Sequence, residues 1–514
     1  MSDKLGAKDA AFIEDLMSKV PRGNPKKYLT VQQAPRAQWQ DPEIILKASS
    51  LQYDPKKPDG KILLGAMGDK LIGIKDNRHY MTVAGSRAGK SVTVIANQFF
   101  YDGSMIALDP KGEQAMKTAQ ARVKMGQDVY VVDPYNIITG PAAKFRASFN
   151  FLNSININNK YAIEDTSDLV DAIVVSTGEE RDPHWNESAG EFLTGLILHV
   201  CFSDGFKDEE RHLGTVRTLA MKALKEDESE DGKPFYVLDV EMEAAAIKLE
   251  QDGYDDIALA IAESATSFFD KEGEELSSVL SSLRRHLKFL SFPSIRNSIG
   301  KHDFNLSDLK TNPKGVSVYI VLPASRIGTC KQFFRLFINK FLADMERTPT
   351  KNKQKVLMVL DEFAGLGRVK QFEDAAAQIA SQGVILWFIL QDFSQGKALY
   401  KDRFESLTAN CGVIQAFGNV DNTTTKDISD SLGKTSILVT NRQELDAESR
   451  MKDLSGQTLE YKQFPLITPD EVSRLFARDG KLKRQLIRWA GRHPMIIERV
   501  EYFDKNSPLR EYLD

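Results

Sequence analysis

Apolar residues recur along this chain in two rhythms, and the switches between them mark its organisation. HYMTVA, from residue 79, SMIALDP (104–110) and DVYVVDP (128–134) are short apolar runs bounded by polar turns. The first is followed by a small-residue loop and then by SVTVIANQFFYD. A segment around 113–125 with helical spacing separates the other two. Alternating strands and helices of this kind predict a parallel sheet covered on both faces.

Between about 153 and 305 the strand signals stop. AIEDTSDLVDAIVVS, NESAGEFLTGLILHVCF, EMEAAAIKLEQDG, DDIALAIAESATSFF and ELSSVLSSLRRHLKFL carry apolar residues at helical spacing. The pattern predicts an all-α domain inserted between sheet strands. Strands resume with VSVYIVLP (316–323), KVLMVLDEF (355–363), VILWFILQ (384–391) and GVIQAFG (412–418), with helices such as KQFFRLFINKFLADMER between them. HPMIIERVEYF (493–503) reads as a closing edge strand.

The start of the chain is different. Residues 1 to about 60 are charged and punctuated by Pro21, Pro25, Pro35, Pro42, Pro55 and Pro58. They predict a short helix near 8–19 and then an extended arm. KILLGAMGDKLIGIK (61–75) predicts a hairpin turning at Gly68-Asp69. The expected divisions are therefore 1–78, arm and hairpin; 79–152, first part of an α/β domain; 153–305, the inserted all-α domain; and 306–514, the second part of the α/β domain with a C-terminal strand.

Composition narrows this picture. At 514 residues the chain exceeds what one core organises, so two or three domains are expected. Apolar content of 42% and charged content of 27% are those of a globular protein. A net charge of −4 excludes a uniformly basic nucleic-acid coat but not a locally basic channel. Cys201, Cys330 and Cys411 are too far apart for a disulfide framework or a metal site, and read as small buried residues in a reducing cytoplasm. The seven histidines show no metal spacing. No run approaches the ~18 apolar residues that span a bilayer. MSDKLGAKDAAFIEDLMSKV has no signal-peptide core, so the expectation is a chain not embedded in a membrane.

The sharpest chemical feature is AGSRAGKS: Ala84, Gly85, Ser86, Arg87, Ala88, Gly89, Lys90 and Ser91. It fits the phosphate-binding loop, with Ala84 where glycine often stands. Small residues let consecutive backbone N–H groups wrap phosphate, and the following helix adds its positive end. Lys90 would reach the β- and γ-phosphates of ATP, and the Ser91 hydroxyl would ligate Mg²⁺. By average residue usage the match is expected by accident roughly 0.04 times in such a chain. VLMVLDEF delivers Asp361 and Glu362 at a strand end. Asp361 would hold Mg²⁺ through a water, and Glu362 would deprotonate the attacking water. This strand is expected beside the loop-bearing strand at the sheet's centre. Gln391 ends VILWFIL and is either a γ-phosphate sensor or an ordinary strand-end amide. LDPKGE (108–113) is a strand end near the nucleotide or a solvated turn. HWNE (184–187) is a surface patch or a packed tryptophan. The basic clusters RRHLK (284–288) and KLKRQLIRWAGRH (481–493) are phosphate-backbone contacts or solvated faces.

The order of these segments resembles the TraG/TraD-like coupling ATPases of type IV secretion and conjugation. HYMTVAGSRAGKS, LDPKGE, FNFLN, DPHWNESAGEFLTGLILHV, VSVYIVLPASRIG, VLMVLDEFAGLGRV, FILQDFSQGKALY and LFARDGKLKRQLIRWAGRHPMIIERVEYF carry the resemblance, over about 79–504. It implies a RecA-like P-loop domain with an inserted all-α domain facing the cargo. It also implies an ATP-hydrolysing, hexameric DNA translocase, with Lys90, Ser91, Asp361, Glu362 and Gln391 in the roles above. Implied partners are single- or double-stranded DNA, a relaxase or effector proteins, and secretion-channel components. Arg368 and Arg403 are the candidates for an arginine finger. Family members usually begin with transmembrane helices, and none is present here. The expectation is a cytoplasmic variant recruited to the inner membrane by a partner, against the alternative of a shortened chain. Two other functions stay open: a substrate-receptor scaffold whose assembly nucleotide controls, and a related DNA-pumping motor.

Overall fold

A computed structural model describes residues 37–174, 184–376, 378–442 and 457–513. The expected helix near 8–19 and the start of the arm lie outside these residues. Within the described arm, Pro42–Lys47 is helical, with Asp41 as its N-cap accepting from the Glu43 N–H. Proline in the first turn loses no hydrogen bond there.

Fifteen strands are named in chain order: β1 Ile62–Met67, β2 Lys70–Ile74, β3 His79–Ala84, β4 Met105–Asp109, β5 Asp128–Val132, β6 Glu226–Glu228, β7 Pro234–Tyr236, β8 Val316–Val321, β9 Val356–Leu360, β10 Val384–Leu390, β11 Cys411–Phe417, β12 Lys434–Arg442, β13 Gln457–Pro465, β14 Arg484–Trp489 and β15 Met495–Glu498. Eleven form one sheet in the order β2-β1-β15-β14-β11-β3-β10-β9-β4-β8-β5. From β11 to β5 every pairing is parallel; from β11 to β2 every pairing is antiparallel. The parallel strands read as unbroken apolar runs because both faces are covered.

Two expectations about order are corrected. β10, which ends at Gln391, lies between β3 and β9, so the Asp361 strand does not adjoin the loop strand. β15 is not an edge: it pairs with both β14 and β1, and the β1–β2 hairpin closes the sheet beyond it. That hairpin turns at Gly68-Asp69 as expected, pairing Met67 with Lys70.

The phosphate-loop helix Lys90–Phe100 and the helix Glu113–Lys124 cover one face, through Val94, Ala115 and Ala119. The other face carries the long helix Ala324–Arg347 and the helices between β5 and β8. Phe151 of FNFLN packs edge-on against Phe333 and Phe337 of that long helix, and Phe149 packs tilted against Phe337, at 4.8–6.3 Å between ring centres. These helices and the sheet share one continuous core. The stretch between β5 and β8 is helical apart from the three-residue pair β6–β7. β12 and β13 form a separate ribbon that the apolar pattern did not announce. Cys201, Cys330 and Cys411 are all buried and free.

Of HWNE, His184 and Glu187 are exposed while the middle two residues turn inward. Asn186 is buried, and its Oδ1 accepts from Ser282 and Arg285 and bonds His286, while Trp185 packs partly buried on the core. This ties down part of the RRHLK cluster as well. Of the 481–493 cluster, Arg484 and Arg488 lie on β14, and Lys483, just before it, pairs with Glu501 and Asp504.

Candidate nucleotide-binding site

The loop Ala84–Ser91, Asp109, Asp361, Glu362 and Gln391 lie at the C-terminal ends of the parallel strands β3, β4, β9 and β10. β3 is buried throughout and delivers Ala84 to the loop. Arg87 (φ 58°) and Gly89 (φ 102°) take left-handed conformations that turn the chain back into the helix. Gly85 is needed for a second reason: a Cβ there would meet the Gly418 carbonyl at 2.1 Å. No side chain caps the helix that starts at Lys90, so its first N–H groups face the loop's concavity, where an anion is stabilised. Lys90 Nζ donates to the Ala84 carbonyl at 2.7 Å and to Gly85 at 3.4 Å. Burial draws its pKa down, while the Glu362 and Asp361 charges oppose that shift.

β9 and β4 place two acids side by side, since Leu108 is level with Leu360. Asp361 is 8% exposed; its Oδ2 accepts from Gln114 Nε2 at 3.1 Å. Burial, then the Glu362 charge, push it up to about 6. Asp109 accepts from the Ala115 N–H at 2.9 Å, and burial pushes it up to about 7. LDPKGE is therefore no solvated turn at its aspartate: Asp109 anchors the helix Glu113–Lys124, and Lys111 remains exposed beside the site.

Glu362 sits at φ 55°, ψ 41°, a left-handed position costly for a residue with a side chain. Its Oε2 accepts from Gln391 Nε2 at 3.4 Å, and Gln391 Oε1 accepts from Ser86 Oγ at 3.0 Å. Gln391 thus bridges the loop and the acidic strand end. Arg368 is held within the chain by a bidentate pair with Glu373, at 2.6 and 3.0 Å. Arg403 is exposed at the start of the helix Arg403–Ala409.

Hard oxygen donors suit Mg²⁺: a buried carboxylate raised by burial gains from a divalent cation, and the Asp361 carboxylate and Ser91 hydroxyl would be the donors. Among the described residues no cluster of His, Cys, Asp or Glu forms a separate metal site.

Two contributors carried no sequence signal that was read. Gln114 links Asp361 to Gln98 of the loop helix (2.5 Å), and a polar residue on the buried stripe of a helix could have flagged it. Arg499, 411 positions from its contact in the loop, had no local signal at all.

A mixed sheet whose parallel part carries this loop and two strand-end acids, with a helical insertion, defines a RecA-like P-loop nucleotide-binding fold. The chain belongs to the type IV secretory system conjugative DNA transfer family, whose pattern it matches over residues 31–512. It is 28% identical over 412 residues to the conjugal transfer protein TraG of Escherichia coli, covering 77% of this chain and 61% of that one. To the type IV secretion system-coupling protein VirD4 of Bartonella henselae it is 27% identical, covering 84% and 64%. The chain thus spans a little over three-fifths of the length of these relatives. The fold matches that of the conjugative coupling protein TrwBdeltaN70 in its sulphate-bound trigonal form, with a TM-score of 0.59, 15% identity and coverage of 93% and 98%. It also matches the plasmid coupling protein TrwB in complex with ADP and Mg2+, with a TM-score of 0.55, 16% identity and coverage of 84% and 88%. No described helix is long and apolar enough to cross a membrane.

Proposed function

We propose that this chain hydrolyses Mg-ATP to drive or gate delivery of DNA, or of protein-bound DNA, to a type IV secretion channel. The observation that carries the reading is the Ser86–Gln391–Glu362 bridge, which links the phosphate loop to the acid placed to activate water. Lys90 meets the β- and γ-phosphates, and the loop N–H groups from Gly85 to Ser91 wrap them. Ser91 and Asp361 would hold Mg²⁺, which neutralises phosphate charge when bound. Glu362 takes the proton of the attacking water, and Gln391 holds Glu362 in register with the loop through its hydrogen bonds to Glu362 and Ser86. We read 79–152 and 306–514 as the two parts of the nucleotide-binding domain, 1–78 as an arm with its hairpin, and 153–305 as the inserted domain that meets cargo. The active assembly is a homo-hexamer. Recruitment from the cytoplasm to the inner membrane runs through a partner protein.

ATPase rate with and without single- and double-stranded DNA, alongside mass by light scattering, tests this. Stimulation by DNA together with a ring-sized mass supports the motor. Hydrolysis indifferent to DNA, with nucleotide controlling only assembly, supports a substrate-receptor scaffold, a reading that the near-neutral net charge of −4 favours.

A further inference from the structure

The C-terminal tail reaches the phosphate loop through one side chain. Arg499 directly follows β15, and its Nη1 donates to the Ala88 carbonyl at 2.6 Å. Nη2 donates to the Arg478 carbonyl at 2.8 Å and to that of Ala477 at 3.4 Å, and Nε donates to Lys483 at 3.2 Å. The guanidinium lies over the Phe417 ring, 5.0 Å from its centre. These hydrogen-bond partners are all neutral carbonyl oxygens. Glu501 and Asp479 act on Arg499 only through space, and burial draws its pKa down. A cation partly removed from water among neutral partners is under-compensated, and a nearby anion would stabilise it.

The planar trans peptide adds a geometric consequence. Carbonyl and N–H of one peptide point in opposite directions. With the Ala88 carbonyl held by Arg499, the Gly89 N–H points the other way, away from the tail. Gly89 at φ 102° then leads into the helix whose open N-terminus faces the same side. The loop is also braced from below by the Gly418 backbone, which accepts no Cβ on Gly85 and is itself bonded to the Phe476 carbonyl at 2.7 Å.

We infer that Arg499 is a positioning residue for nucleotide phosphate: it fixes the Ala88–Gly89 peptide with its N–H toward the phosphates and sets a second positive charge behind the loop. This deepens the nucleotide-binding reading and rests on it. The residue reaches phosphate only through the loop backbone, so its loss acts on binding before it acts on the chemical step.

The test uses the full chain and Mg-ADP, with a fluorescent ADP analogue as probe. Arg499→Ala is expected to weaken binding about tenfold or more, the scale of a hydrogen bond to a charged group. In hydrolysis the loss falls on KM more than on kcat. Arg499→Lys, which keeps the charge and one donor, is expected to recover part of the affinity. If Arg499→Ala does not give folded protein, Arg499→Gln takes its place with the same threshold. Binding by the neutral variant within about twofold of wild type would overturn the inference. So would equal weakening in the lysine and neutral variants with equal losses of unliganded melting temperature, which marks a residue that only stabilises the fold. Failure of the wild-type chain itself to bind Mg-ADP is a separate result, and it removes the phosphate-loop reading.

Discussion

Glu362 and Gln391, at the ends of adjacent strands, are joined by a 3.4 Å hydrogen bond, and the same glutamine reaches Ser86 in the phosphate loop at 3.0 Å. This pairing depends on β10 lying between β3 and β9. Were the two outer strands neighbours, no strand-end side chain would stand between the loop and the acid.

Glu362→Gln separates binding from chemistry. An amide cannot take the water's proton, so kcat should fall by about 10²–10⁴ while Mg-ATP affinity holds. Rapid quench for turnover and equilibrium binding of a fluorescent ATP analogue report the two quantities. Loss of binding in this variant would show that Glu362 is structural.

Gln391→Ala removes both hydrogen bonds of the bridge at once. Turnover is expected to drop about tenfold to a hundredfold, each polar contact being worth about 1 kcal/mol and somewhat more when it meets a charge. Unchanged kcat would reduce Gln391 to a strand-end amide.

Lys90→Ala should abolish hydrolysis, because the transferred phosphate loses its cationic partner. The fold should survive, since Lys90 Nζ contacts only carbonyls of its own loop. Circular dichroism beside the ATPase assay checks both halves, and wild-type turnover would remove the loop from the mechanism.

Gly85→Ala should be worse than its size suggests. Its Cβ would lie 2.1 Å from a backbone oxygen of Gly418, which cannot rotate away. Overpacking of this kind costs about 1–3 kcal/mol, and here it would displace the loop, so melting temperature and nucleotide affinity should fall together.

Acid should destabilise the sheet through His79. Its Nδ1 accepts from the Leu386 N–H at 3.1 Å and its Nε2 bonds the Ala376 carbonyl, an arrangement that only the neutral ring satisfies. Burial draws its pKa from 6.5 to about 4. A histidine lowered on folding takes up its proton first in the unfolded chain, so stability is lost as pH falls from 6.5 toward 4. Asp109 and Asp361 act with the opposite sign, since their raised values favour the folded state below about 7 and about 6. The difference between wild type and His79→Gln in urea unfolding across this range isolates the histidine, and the variant should show the shallower dependence.

The parts of this molecule set by local rules were legible from sequence. The phosphate loop, the helix at 90–100 and the acids ending β9 each follow from residue type and spacing over a few positions. The hairpin at Gly68-Asp69 is equally local. Strand order is not: whether β10 enters between β3 and β9 depends on how crossovers pack, which no stretch of apolar residues encodes. β15 has the same short apolar run as an edge strand, and only the β1–β2 hairpin from near the start of the described chain, with Ala66 pairing to Glu498, makes it interior. HWNE offered a surface patch or a packed tryptophan, and nothing local marked Asn186, which three partners about a hundred positions away hold inside.

The phenylalanines that join FNFLN to the long helix set how this chain can move. Phe149, Phe151, Phe333 and Phe337 are each at most 1% exposed. Separating them would return apolar surface to water at about 1.5–3 kcal/mol per ring. That is comparable with the whole stability margin of a typical domain. The point where the chain leaves the sheet for the helical stretch is therefore pinned to the long helix beneath it.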